Sequence, residues 1–227
     1  MLPLQLARRS PITWVQTLTL AAMLAAAVPV GWASARLVRR FALSETAPVW
    51  PLILADLLAA LGAGVAAAAP AQIVLGAVLG WALVLLAAID ILVLRLPDAV
   101  TLPLAAAGVV CGAWMAPPEM TDRVVGAAVG WLALSALGWA FFRLRGKQGI
   151  GQGDAKLLAA AGAWLGWRAL PAVVLIACAG GFAWAAVAVL RKGRAAAAAP
   201  MPFGPPLCAG VWIVWLAHAL APVAPAG

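Results

Sequence analysis

The sequence predicts an all-α fold: a polytopic membrane helical bundle of about eight transmembrane helices. Composition comes first, because 66% of the 227 residues are hydrophobic and only 10% are charged, against about 25% charged in an average soluble domain. Apolar runs of roughly 20 residues, the length that crosses a bilayer core, recur throughout. Short stretches rich in Arg, Lys, Pro or Gly separate those runs.

The first run, about 13–33, carries Trp14 and Trp32 at its ends, where indole rings favour the headgroup region. Arg8 and Arg9 precede it, as in a signal peptide. It is longer than a signal core, and Arg36, Arg39 and Arg40 follow it, so it reads as a retained span. A basic loop is expected at 34–48. The second span, about 49–68, contains Asp56, and Pro70 separates it from a third at about 71–91. A fourth at about 99–116 ends at Pro117-Pro118, and a fifth covers about 124–142. A glycine-rich turn, Gly149 to Lys156, leads into a short sixth span, about 154–166. Gly166-Trp167-Arg168 then turns the chain into a seventh, about 169–190. Arg191, Lys192, Arg194, an alanine run and a proline-rich stretch precede the eighth, about 206–222. Residues 1–70 form the N-terminal spans with their short basic loop, and 71–227 a second membrane domain.

With eight spans, alternate connections share a side. Eleven basic residues fall near 34–48, 92–98, 143–156 and 191–204. The other side holds four: Arg8, Arg9, Arg123 and Arg168. The excess marks the first side as cytoplasmic and puts both termini outside. The net charge of +8 is then orienting charge in short loops, and no nucleic-acid partner is expected. Membrane lipid is the expected partner of the basic loops. Cys111, Cys178 and Cys208 lie in or beside apolar runs and form no C-x-x-C pair. They read as small core residues, with no metal site, disulfide or cofactor expected. Four runs carry a G-x-x-x-G spacing: Gly76/Gly80, Gly108/Gly112, Gly126/Gly130 and Gly162/Gly166. Small residues four apart let helix backbones approach closely.

The chain has seven acids, of which Glu45, Glu119 and Asp122 lie in expected loops. Asp90 and Asp154 each stand at the edge of an apolar segment, on the same expected side. A charge at mid-membrane costs about 2.5–3.5 kcal/mol on the insertion scale, and although the cost is less at the interface, such placement argues for a purpose. Two carboxylates brought together share one proton. One can draw a proton from water while the other donates to a scissile carbonyl, which is the chemistry of an aspartyl protease. Singly, Asp90 is equally a helix-end acid paired with Arg95, and Asp154 a helix N-cap. A proton-coupled transporter or channel using Asp56, Asp90 and Asp154 is the alternative of another class.

Gly151-Gln152-Gly153-Asp154, with Gly149 upstream and Ala155-Lys156-Leu157 after it, resembles the signature of the type IV prepilin peptidases, G-x-G-D aspartyl membrane proteases. Asp90, Pro97-Asp98 and Thr101 fit the spacing of that family's first catalytic acid, and Phe203-Gly204-Pro205 resembles its late Pro-Phe-Gly-Pro element. The likeness covers about 75–220. Leu92 and Gln148 stand where members often have polar or acidic residues. The resemblance implies catalytic Asp90 and Asp154. It implies site-shaping by Gly151, Gly153, Pro97 and Asp98, with Lys156 near the acid pair. The implied substrate is a type IV prepilin or secretion pseudopilin, cut at its leader on the cytoplasmic face of a bacterial inner membrane. Bifunctional members carry a four-cysteine zinc region in the first cytoplasmic loop and methylate the new N-terminus. The loop at 34–48 has no cysteine, so N-methyltransferase activity is expected to be absent.

Overall fold

The computed structural model describes residues 13–42, 48–67, 69–115, 120–146, 149, 151–193 and 201–221. Arg8, Arg9, Glu45, Pro117-Pro118, Glu119, Lys147, Gln148 and Arg194 lie outside the described residues. Eight α-helices and no strand are found among the described residues. They are α1 (Trp14–Ala42), α2 (Val49–Ala66), α3 (Pro70–Val93), α4 (Asp98–Met115), α5 (Met120–Arg145), α6 (Gln152–Leu165), α7 (Leu170–Lys192) and α8 (Gly204–Leu220). A single 3-10 turn, Trp167–Ala169, precedes α7.

The chain is a multi-pass membrane protein. Among the described residues five helical segments are long and apolar enough to cross a membrane: Trp14–Phe41, Val49–Ala66, Pro70–Val93, Met120–Arg145 and Trp167–Arg191. Asp98–Gly112 and Gly204–Leu220 are apolar but shorter. α6 has 14 residues, roughly 21 Å at 1.5 Å per residue, against a hydrocarbon core of about 30 Å. Most of its side chains from Ala155 to Trp164 are buried, because α4 and α5 pack along it. It is an inner helix of the bundle.

Two boundaries differ from the sequence reading. The expected loop at 34–48 is helical as far as Ala42, so Arg36, Arg39 and Arg40 lie on α1. Arginine is a good helix former, and basic side chains are favourable in a helix's last turn. The Arg36 guanidinium lies 3.4 Å from the centre of the Trp32 ring. The Gly149–Lys156 turn is shorter than expected, since α6 opens at Gln152 and places Asp154 in its first turn. The separation of α6 from α7 stands, made by Gly166 at φ 80°, a left-handed angle that suits glycine.

The glycine pairs pack in two ways. A Cβ on Gly126 would lie 2.6 Å from the carbonyl oxygen of Gly162, and one on Gly130 would lie 2.5 Å from that of Leu158. α5 and α6 therefore meet backbone to backbone. Gly76 and Gly80 instead face Trp215 and Trp212 of α8, whose rings stack with centroids 5.1 Å apart. That stack seats α8 against α3.

Candidate active site

Asp90 lies in the last turn of α3 and is 5% exposed. Leu94 caps this helix in the left-handed region, at φ 53° and ψ 36°, and its N–H donates to the Asp90 carbonyl at 2.9 Å. The carboxylate reaches α8, where its Oδ2 accepts the backbone N–H of Gly204 at 2.8 Å. Gly204 is the first residue of α8, and Pro205 and Pro206 follow. The prolines have no N–H, so within the first three residues of that helix Gly204 alone can donate. A carboxylate at a helix N-terminus is also favoured by the macrodipole. The approach leaves no room for a side chain: a Cβ on Gly204 would lie 2.6 Å from Asp90 Oδ2. No ion pair joins Asp90 to Arg95 among the described residues.

Asp154 is the third residue of α6, and Gly151 is the N-cap. Its own N–H donates to the Gly151 carbonyl at 3.1 Å, which closes the first turn of the helix and keeps its carboxylate beside the Gly151 backbone. A Cβ on Gly151 would lie 3.3 Å from Asp154 Oδ2. Asp90 is close enough for its charge to act on Asp154. Both charges also reach the buried thiol of Cys208, one turn into α8. The two acids singled out in the sequence therefore lie near one another at one end of the bundle, between α3, α6 and α8.

Gly153 helps to join them. A Cβ there would lie 2.9 Å from Cβ of Leu96, so α6 docks by its first turn on the segment that leaves α3 after Asp90. The close approach made at Gly153 is to this chain's own Leu96, which is buried. Pro97 stands just before α4, and its carbonyl accepts the N–H of Val100 at 3.0 Å, the N–H of Thr101 at 3.1 Å and the Thr101 hydroxyl at 3.2 Å. Asp98 and Lys156 form a two-pronged ion pair, with Nζ 2.6 Å from Oδ1 and 2.7 Å from Oδ2. The acid that Lys156 meets is Asp98.

Asp56 stands apart. It is fully buried on α2, and neither carboxylate oxygen has a hydrogen-bond partner. Trp81 Nε1 donates to its backbone carbonyl at 3.0 Å. Among the described residues no three His, Cys, Asp or Glu side chains are grouped to hold a metal ion. Gly204, Leu96 and Cys208 belong to the neighbourhood of the acids but were not picked out as site residues from sequence. For Gly204 a signal existed, a glycine between Phe203 and two prolines at the start of an apolar run.

Residues 77–186, which contain both acids, match the model of the type IV leader peptidase family. This stretch is a type IV leader peptidase domain. Curated relatives named prepilin leader peptidase/N-methyltransferase also match this chain. The protein of Burkholderia pseudomallei (strain K96243) is 50% identical over 129 residues, 57% of this chain and 41% of its own length. That of Aeromonas hydrophila is 45% identical over 139 residues, 61% of this chain and 47% of its own. That of Stutzerimonas stutzeri is 38% identical over 138 residues, 61% of this chain and 47% of its own. The chain thus aligns with less than half the length of these leader peptidase relatives. No solved structure gives a significant match.

Proposed function

We propose that this leader peptidase chain is a membrane aspartyl endopeptidase, with 71–227 as its catalytic part, that removes the leader of type IV prepilins or secretion pseudopilins. The observation that carries the reading is the convergence of Asp90 and Asp154 at one end of the bundle. With one proton between them, the ionised carboxylate takes a proton from water as the oxygen bonds to the scissile carbonyl carbon. The protonated carboxyl gives its proton to the carbonyl oxygen. Collapse of the tetrahedral intermediate breaks the C–N bond: the amine leaves with a proton from the first carboxyl, and a hydroxyl of the intermediate returns its proton to the second as the new carboxyl group forms. One water is consumed and the pair again holds one proton. Gly204 holds the Asp90 carboxylate by its backbone N–H, and neither Gly204 nor Gly151 places a side chain over the acids.

The lysine and arginine asymmetry supports a cytoplasmic-membrane protein with the acids at the cytoplasmic face and both termini outside. Asp90→Asn and Asp154→Asn are each expected to abolish cleavage of a co-expressed prepilin while the protein accumulates normally. Because such a pair acts as a unit, the double variant should be scarcely worse than either single one. Substantial cleavage by either single variant refutes the assignment. A single cysteine at Gln148, in a cysteine-free background, should be labelled from the cytoplasmic side; labelling only from outside overturns the orientation.

A further inference from the structure

Residues Leu94 to Pro97 join the end of α3 to the start of α4 as a rigid strap. Leu94 has φ 53°, and among the described residues it is the one non-glycine residue with a positive φ. That left-handed region crowds a β-carbon and suits glycine. Burial does not explain a leucine there, because Leu94 is 48% exposed. Its N–H stays bonded to the Asp90 carbonyl at 2.9 Å, so the strap starts at a fixed place relative to Asp90. Pro97 restricts Leu96 to extended backbone, and the three hydrogen bonds accepted by the Pro97 carbonyl fix the other end.

Leu94 and Arg95 are exposed, whereas Leu96 is buried in the core. Its side chain meets α6 at Gly153, where a Cβ would lie 2.9 Å from Leu96 Cβ and 3.4 Å from its Cδ1. Gly153 directly precedes Asp154. A short path therefore runs from Asp90 through Leu94 and Leu96 to Asp154. We propose that Leu96 is a positioning residue: its side chain, carried on the rigid strap, is the spacer that sets the separation of the two carboxyls. Proton sharing follows that separation, because it comes from the repulsion of two like charges. On the elements packed around the pair, the other charged or titratable groups are the Cys208 thiol on α8, Arg95 in the strap, the Asp98–Lys156 pair and the last-turn Arg39 and Arg40 of α1. None of them is altered in the variants below, so a change in the pair's titration reports its spacing. In its effect on cleavage the inference rests on the proteolytic reading of the pair; the spacing itself does not.

The full chain in detergent would be titrated with pH while the infrared band of protonated carboxyls is followed, as a difference against Asp90→Asn/Asp154→Asn. Prepilin cleavage would be measured alongside, as kcat and KM. The unsubstituted chain should titrate in two steps, as a coupled pair does. Leu96→Ala removes the spacer, and Gly153→Ala forces α6 away from it. Both should bring the two steps closer together. Both should also lower kcat about 100-fold, as a displacement near 1 Å does, and leave KM within about twofold. Leu96→Met, which keeps the volume, should match the unsubstituted chain. Leu104→Ala, in the same core, should lower Tm as Leu96→Ala does and leave the steps apart, which separates spacing from stability. If Leu96→Ala does not accumulate, Leu96→Val should give a smaller change of the same sign. Steps that stay apart in Leu96→Ala and Gly153→Ala overturn the spacer, as does a single step in the unsubstituted chain. Steps that close up with kcat unchanged overturn its part in the reaction. Steps that close up in a protein that never cleaves prepilin support the spacer and refute the protease reading instead.

Discussion

The backbone N–H of Gly204 donates to the Asp90 carboxylate at 2.8 Å, across 114 residues of sequence. This bond ties the last described helix to the end of α3. It needs glycine for proximity, since the φ of Gly204 is not among the positive values in the chain. Gly204→Ala would put a methyl group 2.6 Å from Oδ2, and the carboxylate or the start of α8 must move. Displacements near 1 Å cost about 100-fold in rate. Gly204→Ala is therefore expected to lose about that factor in prepilin cleavage, measured in membranes with matched protein levels. Gly181→Ala, where the added Cβ would make ordinary contacts with Phe203 at 3.8 Å and Met201 at 3.9 Å, should cleave normally. Equal activity in the two variants would remove Gly204 from the site.

Lys156 and Asp98 form a partly exposed pair, with side chains 29% and 56% accessible. Such pairs contribute at most about 1 kcal/mol, which is about fivefold in an equilibrium. Asp98→Asn should keep most cleavage activity, far above Asp90→Asn. The charge exchange Asp98→Lys/Lys156→Asp should recover what either single reversal loses. A loss as deep as that of Asp90→Asn would mean that Asp98 does more than hold Lys156.

Asp56 separates the protease from the transporter reading. Its carboxylate is buried without a partner, a costly arrangement for a charge. Trp81, which binds its carbonyl, precedes Asp90 by nine residues on α3, roughly 13 Å of helix. Asp56→Asn should therefore change prepilin cleavage by less than about twofold, as expected of a site remote from both acids. Asp56→Leu should raise Tm by removing an unpaired buried polar group. Cleavage that collapses in Asp56→Asn as in Asp90→Asn would favour a proton path through all three acids.

Asp90 and Asp154 stood out in the sequence because carboxylates at the edges of apolar runs are few and costly, and their nearness in the fold agrees with a shared site without testing its chemistry. Periodicity and run length likewise gave the eight helices. What stayed hidden depends on contacts between segments distant in sequence. The Gly153–Leu96 approach and the Gly204–Asp90 bond exist only once α3, α6 and α8 have packed. Spacing alone did not separate Gly126/Gly130, which seat a helix backbone, from Gly76/Gly80, which seat two indoles. Arg36, Arg39 and Arg40 looked like loop because they are charged, yet arginine extends a helix well and favours its C-terminal turn.

That extension bears on the methylase. α1 ends at Ala42 and α2 begins at Val49, so only 43–48 connect them, fewer residues than the loop inferred from sequence. The cysteines are Cys111, Cys178 and Cys208, none of them in this connection. With no thiolates there, no structural zinc can order it, and six residues are too few to fold a methyl-donor pocket by themselves. Arg36, Arg39 and Arg40 stand on the adjoining helix end, where their charge suits orientation and lipid contact. The relatives that carry N-methyltransferase in their names align over less than half their length. The purified chain is therefore expected to cleave prepilin and leave the new N-terminal amine unmethylated, even with excess S-adenosylmethionine. Intact mass of the mature pilin decides it, since one added methylene is about 14 Da of covalent modification. That gain, with no other methylase present, would show that methyl transfer is built from residues outside the α1–α2 connection. Its absence alongside normal cleavage would leave proteolysis as the activity of this chain.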